Sequence, residues 1–354
     1  MIKFGIVGTG WRSHFYLRPA QACPNLFSCV GVVTRDPERA APLGEQYGIQ
    51  LYPSLDDLLA QKPHFVVTSV PWPINPGVIN QLADANMPVL SETPPAPTSE
   101  EMAELCKRTQ QGAIIQVAEQ YVLQPHHAAK LAFIQTGKLG TISQAQVSAA
   151  HGYHGISLIR KFLGIGYECP TITACEFTSP LVKGPNRNGP PEEESMGNSK
   201  QTIAYLNFGD RLGVFDFAGD QYFSHIRNQR ILIRGDRGEI INDTATYLQD
   251  FNTPITVHFT RHTAGPEGNL EGNHLKGYQA GETWAYQNPL APGELSDDEI
   301  AVGDCMRLMA EHINGGPPVY PLEEACQDHH LNLCIQQAQQ EGRPITVEPQ
   351  SWAS

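Results

Sequence analysis

The chain opens with Ile2-Lys3-Phe4-Gly5-Ile6-Val7-Gly8-Thr9-Gly10-Trp11-Arg12-Ser13, an apolar run that passes directly into a glycine-bearing turn. A strand that ends in Gly-x-Gly and opens a helix uses the first glycine to turn tightly and the second to let backbone approach a phosphate. Ser13 stands where a third glycine often permits close helix packing, and a small residue serves that purpose too. Such a unit rests a pyrophosphate on the helix N-terminus. The pattern therefore predicts dinucleotide contacts from Gly8, Thr9, Gly10, Trp11 and Arg12.

The rhythm that follows supports this reading. Short β-branched runs at residues 2–7, 29–34, 65–70, 89–91 and 114–118 alternate with helix-like stretches at 37–47, 54–60, 74–85 and 99–110. Strict alternation of this kind gives a parallel, doubly wound sheet of the Rossmann type, assigned to a domain over residues 1–121. Beyond it the spacing changes to a helix (126–135), a strand (141–150), a helix (157–163), and longer strands at 171–178, 201–208, 211–217, 230–234 and 255–261. The fold class expected is α/β, an N-terminal Rossmann sheet followed by an α+β domain over 122–354 with a large, mostly antiparallel sheet. Two closing helices, 297–314 and 322–341, are expected to cover one face of it. Residues 183–197 and 262–293, rich in Gly and Pro, read as long loops, either binding loops or surface excursions.

Composition limits the partners. With 24 Lys+Arg against 37 Asp+Glu the net charge is −13, and no basic run gathers the cations, so nucleic acid is not expected as a partner. No apolar stretch approaches the roughly 18 residues of a membrane helix, and no secretory leader precedes the first strand, so a cytoplasmic location without membrane contact is expected. The eight cysteines are scattered singly and read as reduced thiols. His329-His330 lacks a carboxylate at helical ligand spacing and no metal motif occurs, so no metal is expected.

At the end of the second strand stands Val33-Thr34-Arg35-Asp36. An acid there usually holds the ribose 2′-hydroxyl of NAD, whereas a guanidinium at Arg35 suits adenine stacking and a 2′-phosphate. The reading favours NADP slightly, with Thr34 and Arg35 as contacts, and Asp36 leaves NAD open.

On these residues the sequence resembles the Gfo/Idh/MocA family of NAD(P)-dependent oxidoreductases. The resemblance is carried by Gly5 to Ser13, Val70-Pro71, Glu92-Thr93-Pro94 at the family's E-K-P signature, Val117-Ala118-Glu119-Gln120-Tyr121, Lys130 through Gly140, His154-Gly155-Ile156-Ser157 through Gly164, and Gly315-Gly316-Pro317. It implies that Val70, Pro71, Trp72, Glu92, Thr93 and Glu119 join the cofactor contacts. It also implies hydride transfer to or from a sugar, keto-sugar or polyol held between two domains, and a homodimer or homotetramer. The family's catalytic set is the Lys of E-K-P, an Asp, and a His four residues after it. Here those positions hold Thr93, Ala150 and His154. A positioned general acid or base contributes about 10²- to 10⁴-fold, or roughly 3–5 kcal/mol of barrier, so its loss demands replacement or a different reaction.

His151-Gly152-Tyr153-His154, placed just before a helix, concentrates two imidazoles and a phenol in one turn. His154 is assigned as the proton carrier, with Tyr153 and His151 as helpers. Glu119 and Tyr121 end a strand at the sheet's ligand-binding edge, and Lys276 offers an amine from a loop. Trp72 reads as a cover for a ring or as packing. The run from Phe215 to Phe223 reads as a carbohydrate-like surface or as a strand with its hairpin. Two further readings stand beside the oxidoreductase: a non-catalytic NAD(P)-binding metabolite sensor, and a redox-neutral enzyme in which NAD is reduced and reoxidised within one turnover on a glycoside.

Overall fold

The structure is a computed structural model that describes residues 1–269 and 272–353. Strands β1 (Ile2–Val7), β2 (Phe27–Val33), β3 (Leu51–Tyr52), β4 (Phe65–Thr68), β5 (Val89–Ser91) and β6 (Ile115–Val117) form one parallel sheet in the order β3-β2-β1-β4-β5-β6. Its crossovers are α1 (His14–Ala22), α2 (Pro37–Tyr47), α3 (Leu55–Leu59), α4 (Asn75–Asp84) and α5 (Ser99–Gln110). The order reverses between β1 and β4, and that switch point puts the carboxyl ends of both strands beside an open crevice. The central strands are buried on both faces, as in Phe65-Val66-Val67-Thr68, which is why they read as continuous apolar runs. Side-chain caps start the helices: Asp36 accepts from the Arg39 amide, Ser54 from Asp57 and Thr98 from Glu101.

Past β6 come α6 (Pro125–Gln135), β7 (Ile142–Ser148), α7 (Gly152–Leu163), β8 (Thr171–Val182), β9 (Met196–Asn207), β10 (Leu212–Ala218), β11 (Arg230–Gly235), β12 (Gly238–Ile241), β13 (Thr244–Leu248), β14 (Pro254–Ala264), β15 (His274–Ala280), β16 (Thr283–Gln287), α8 (Asp297–Ile313), α9 (Leu322–Glu341) and β17 (Ile345–Thr346). The strands among them make an eleven-stranded sheet in the order β16-β15-β14-β13-β12-β11-β7-β10-β9-β8-β17. It is antiparallel apart from the β7–β10 pair.

Three expectations need correction, and one loop stands. Residues 262–293 are not one long loop: β14 runs to Ala264, and β15 and β16 pair as a hairpin across 274–287. The loop expected at 183–197 is present over 183–195, where it forms the tip of a long hairpin between β8, which ends at Val182, and β9, which begins at Met196. Helix α7 begins at Gly152 rather than Ser157, so Tyr153 and His154 lie in its first turn. Of the two closing helices, α9 packs on α7 and β8, whereas α8 packs on α1 and so ties the two sheets' layers together.

Candidate active site

A cleft of about 1230 Å³ runs along the carboxyl edge of the parallel sheet and under α7. At its floor the β1–α1 turn is shaped by two glycines of different purpose. Gly8 has φ +111°, and a Cβ there would stand 2.1 Å from the Ser69 carbonyl oxygen. Gly10 is ordinary extended backbone with no heavy atom within 4 Å of where its Cβ would lie, so the space above it is open to a ligand. Ser13 is fully buried and donates its hydroxyl to the Gly8 carbonyl at 2.9 Å, which locks the turn from behind.

Arg12 spans the cleft. Its Nε donates to Glu92 Oε1 at 2.7 Å and its Nη1 to Asp298 Oδ2 at 2.9 Å, while Nη2 is buried without a partner. Tyr16, wholly buried, donates its hydroxyl to the same Glu92 oxygen at 2.6 Å. Burial opposes the Arg12 charge, but Glu92 and Asp298 outweigh it and raise the guanidinium above its ordinary value. Farther along the floor, Thr34 and Arg35 follow β2, with Arg35 exposed and Asp36 committed to capping α2. Val70, Pro71 and Trp72 form the opposite lip, with the Trp72 ring edge-on to Tyr153 at 6.1 Å.

The roof is the start of α7. His154 Nδ1 lies 2.7 Å from Glu119 Oε2, and both side chains are almost completely buried. Burial pushes Glu119 up to about 8, against backbone N–H donation from Tyr121, and pushes His154 down to about 3, helped by the Arg12 charge. Both groups are thus driven toward neutral forms. The neutral Glu119 carboxyl donates to Nδ1, which leaves the remaining imidazole proton on Nε2, and no described residue accepts it. His154 lines the cleft; Glu119 is not among the lining residues and stands behind the imidazole.

His151, at the N-terminal end of α7, makes the second polar run. Its Nδ1 is 2.7 Å from the Tyr222 hydroxyl and its Nε2 is 3.4 Å from that of Tyr153, which donates to the Thr93 carbonyl at 3.3 Å. Tyr121 donates to Tyr222 at 3.2 Å. Burial, then His154 and Arg187, lowers the His151 imidazole, and burial raises both Tyr153 and Tyr222, so the run is neutral at physiological pH.

A turn that exposes backbone to an open cradle, on the switch point of a parallel sheet, is what a dinucleotide pyrophosphate needs. Residues 2–119 match the Gfo/Idh/MocA family, described as an oxidoreductase family with an NAD-binding Rossmann fold. These residues are a Gfo/Idh/MocA oxidoreductase domain.

The likeness of fold extends over the whole chain. Levoglucosan dehydrogenase in complex with NADH and levoglucosan is similar at 18% identity, covering 98% of this chain and 99% of that one, with a TM-score of 0.70. An oxidoreductase from Agrobacterium radiobacter in complex with NAD+, L-tartaric acid and magnesium is similar at 16% identity, 98% of each chain and 0.68. A putative myo-inositol dehydrogenase from Sinorhizobium meliloti is similar at 15% identity, with 98% of this chain, 100% of that one and 0.67. No curated protein sequence matches the chain.

Against the Gfo/Idh/MocA pattern, Gly8, Thr9, Gly10, Trp11, Arg12, Thr34, Arg35, Val70, Pro71, Trp72, Glu92, Thr93, His151, Tyr153 and His154 all line the one cleft. Lys276 does not: it lies on β15 with its ammonium 5.9 Å from the Trp284 ring. The described lining residues include no lysine. Sequence reading missed Asp298, which shows itself only as the second residue of a well-capped helix, and it missed Arg187, on the hairpin tip. Tyr222 falls within the aromatic stretch 215–223, which is β10 followed by a short helical turn, and its hydroxyl is the part that reaches the site.

Proposed function

We propose that the chain is an NAD(P)-dependent oxidoreductase acting on the carbinol or carbonyl carbon of a sugar, keto-sugar or polyol, with His154 as the proton carrier. Residues 1–121 serve as the nucleotide-binding domain and 122–354 as the substrate domain. The observation that carries the reading is the buried His154–Glu119 pair at 2.7 Å, whose imidazole lines the same cleft as the glycine turn.

The residues present fit a dinucleotide: Gly8 to Gly10 and the following helix for the pyrophosphate, Thr34 and Arg35 for the adenosine end, Val70 to Trp72 with Glu92 and Thr93 for the nicotinamide end. A bound nicotinamide supplies the hydride acceptor or donor. The chain's own residues handle the proton. With the Nε2 proton present, His154 donates to a developing alkoxide; once the pair has lost that proton, Nε2 accepts from a hydroxyl. Glu119 fixes the ring and supplies or stores the proton on the Nδ1 side. Tyr153 and His151 orient a neighbouring hydroxyl, and Tyr222 holds His151. Arg35 suits the 2′-phosphate of NADP, and NAD remains compatible. The exposed Phe177 and Tyr205 on one face of β8 and β9 support self-association as a homodimer or homotetramer.

Thr93 favours a second reading. Among the described residues no amine replaces the family lysine in the cleft, which suits a sensor that binds NAD(P) and metabolite without turnover, or a redox-neutral reaction on a glycoside. Titration with NADH and NADPH, followed by nicotinamide absorbance with sugars, keto-sugars and inositols, separates these readings. Net absorbance change establishes the oxidoreductase; binding without it, with or without product, establishes the alternatives. Within the first reading, His154→Ala lowers kcat at least about tenfold with cofactor affinity unchanged, and an unaltered kcat removes His154 from the chemistry.

A further inference from the structure

We propose that Arg187 is a specificity-determining residue that selects a substrate carrying an anionic group, a sugar acid or sugar phosphate. The inference rests on the oxidoreductase reading and deepens it.

Arg187 lies at the tip of the β8–β9 hairpin, in the far half of the chain, yet it lines the same cleft as the glycine turn. Its guanidinium sits 4.2 Å from the centre of the Trp11 ring, and Trp11 is itself held edge-on to Phe15 at 4.7 Å. A ring beneath a guanidinium orients it while leaving its N–H edge free. That edge has no hydrogen bond or ion pair among the described residues. The three carboxylates that line the cleft are already engaged: Asp36 caps α2, and Glu92 and Asp298 both hold Arg12. Glu192, Glu193 and Glu194 share the hairpin tip with Arg187 but are exposed and unpaired with it.

In the proposed function the cofactor's phosphates are served by the glycine turn and by Arg35. The hairpin tip that carries Arg187 packs, at Gly184, against Ser224, two residues from the Tyr222 hydroxyl that holds His151, so the tip borders the His151 side of the cleft as well as Trp11. A planar, permanently charged fork without a carboxylate partner, exposed along the cleft between Trp11 and the His151 side, matches the bidentate geometry of a substrate carboxylate or phosphate.

The test compares wild type, Arg187→Ala and Arg187→Lys on matched neutral and acidic substrates: an aldose against its uronic acid, a polyol against its aldonic acid, a sugar against its phosphate. Wild type is expected to prefer an acidic member by about tenfold or more in kcat/KM. Arg187→Ala brings that preference to within about twofold by raising KM for the acid alone, leaving NADH affinity unchanged, and Arg187→Lys falls between. A wild type that prefers the neutral members overturns the proposal. So does an Arg187→Ala variant that weakens NADH or NADPH and keeps the preference, because the guanidinium then serves the dinucleotide. If no substrate turns over, the oxidoreductase reading fails separately, and calorimetric titration of the NADH-loaded protein with glucuronate, gluconate and inorganic phosphate decides the anion site. Binding that Arg187→Ala abolishes supports it; absence of binding overturns it.

Discussion

Glu119 and His154 meet through a single hydrogen bond of 2.7 Å in surroundings that penalise charge on either partner. The cleft-facing Nε2 keeps its proton as long as Glu119 is neutral, because the carboxyl occupies Nδ1 as donor. Loss of one proton from the pair turns Nδ1 into the donor and frees Nε2, so the proton available to substrate leaves with ionisation of Glu119, which burial pushes up to about 8, rather than with that of a free imidazole. The sign follows. Alcohol oxidation, which needs free Nε2, rises with pH through about 8; carbonyl reduction, which needs Nε2–H, falls through the same point. Glu119→Gln removes the step in both directions while keeping the shape of the pair. Profiles of kcat/KM from pH 5 to 10 check this, and a wild-type step near 6.5 would show an imidazole titrating alone.

Much of this site is legible in sequence wherever the chemistry is local. Gly8, Gly10 and Ser13 are contiguous, and the turn they form is fixed by backbone sterics within that stretch. His154 is legible by position, but its place inside α7 is not, because Gly152 and Gly155 lower helix propensity around it. The structure gives the reason for the second glycine: a Cβ at Gly155 would stand 2.5 Å from the Phe215 ring and 2.8 Å from the Ala150 carbonyl oxygen. The helix starts early because it must press onto β10, a tertiary demand that overrides local propensity. Asp298, Tyr222 and Arg187 reach the cleft from residues 71 to 286 positions away from their partners, and no spacing pattern encodes such meetings.

Arg12 joins the glycine turn to Glu92 and, through Asp298, to the first turn of α8. Removing it strands two carboxylates in a site only 12% and 26% exposed. Arg12→Ala is expected to lower stability by about 2–3 kcal/mol, discounted from the cost of breaking a fully buried pair because solvent reaches the Asp298 end. Asp298→Asn, which keeps a hydrogen-bonding oxygen, costs about 1 kcal/mol. Thermal unfolding of the three proteins side by side checks the order. Equal losses would mean that the Asp298 contact carries the whole effect.

Arg35 is exposed at the end of the cleft where β2 gives way to α2, with Asp36 beside it already bonded to the Arg39 amide. A committed Asp36 is a poorer partner for a ribose hydroxyl, and a free guanidinium is a good one for a phosphate. Arg35→Ala therefore weakens NADPH about tenfold more than NADH in fluorescence titration. Equal losses would show that Arg35 stacks on the adenine and reads nothing at the 2′ position.

The two glycines of the turn separate folding from binding. At Gly8 the positive φ and the Ser69 carbonyl oxygen 2.1 Å from an added Cβ make alanine intolerable to the protein itself, so Gly8→Ala destabilises by about 3 kcal/mol or more whatever is bound. At Gly10 the backbone suits any residue and the added methyl meets no protein atom, so Gly10→Ala unfolds within about 0.5 kcal/mol of wild type. The methyl instead stands in the space through which a pyrophosphate approaches the backbone, and NADH and NADPH affinity fall together by about tenfold or more. Cofactor titration beside thermal unfolding reads both effects in one preparation. A Gly10→Ala protein that binds dinucleotide like wild type would place the phosphates elsewhere in the cleft.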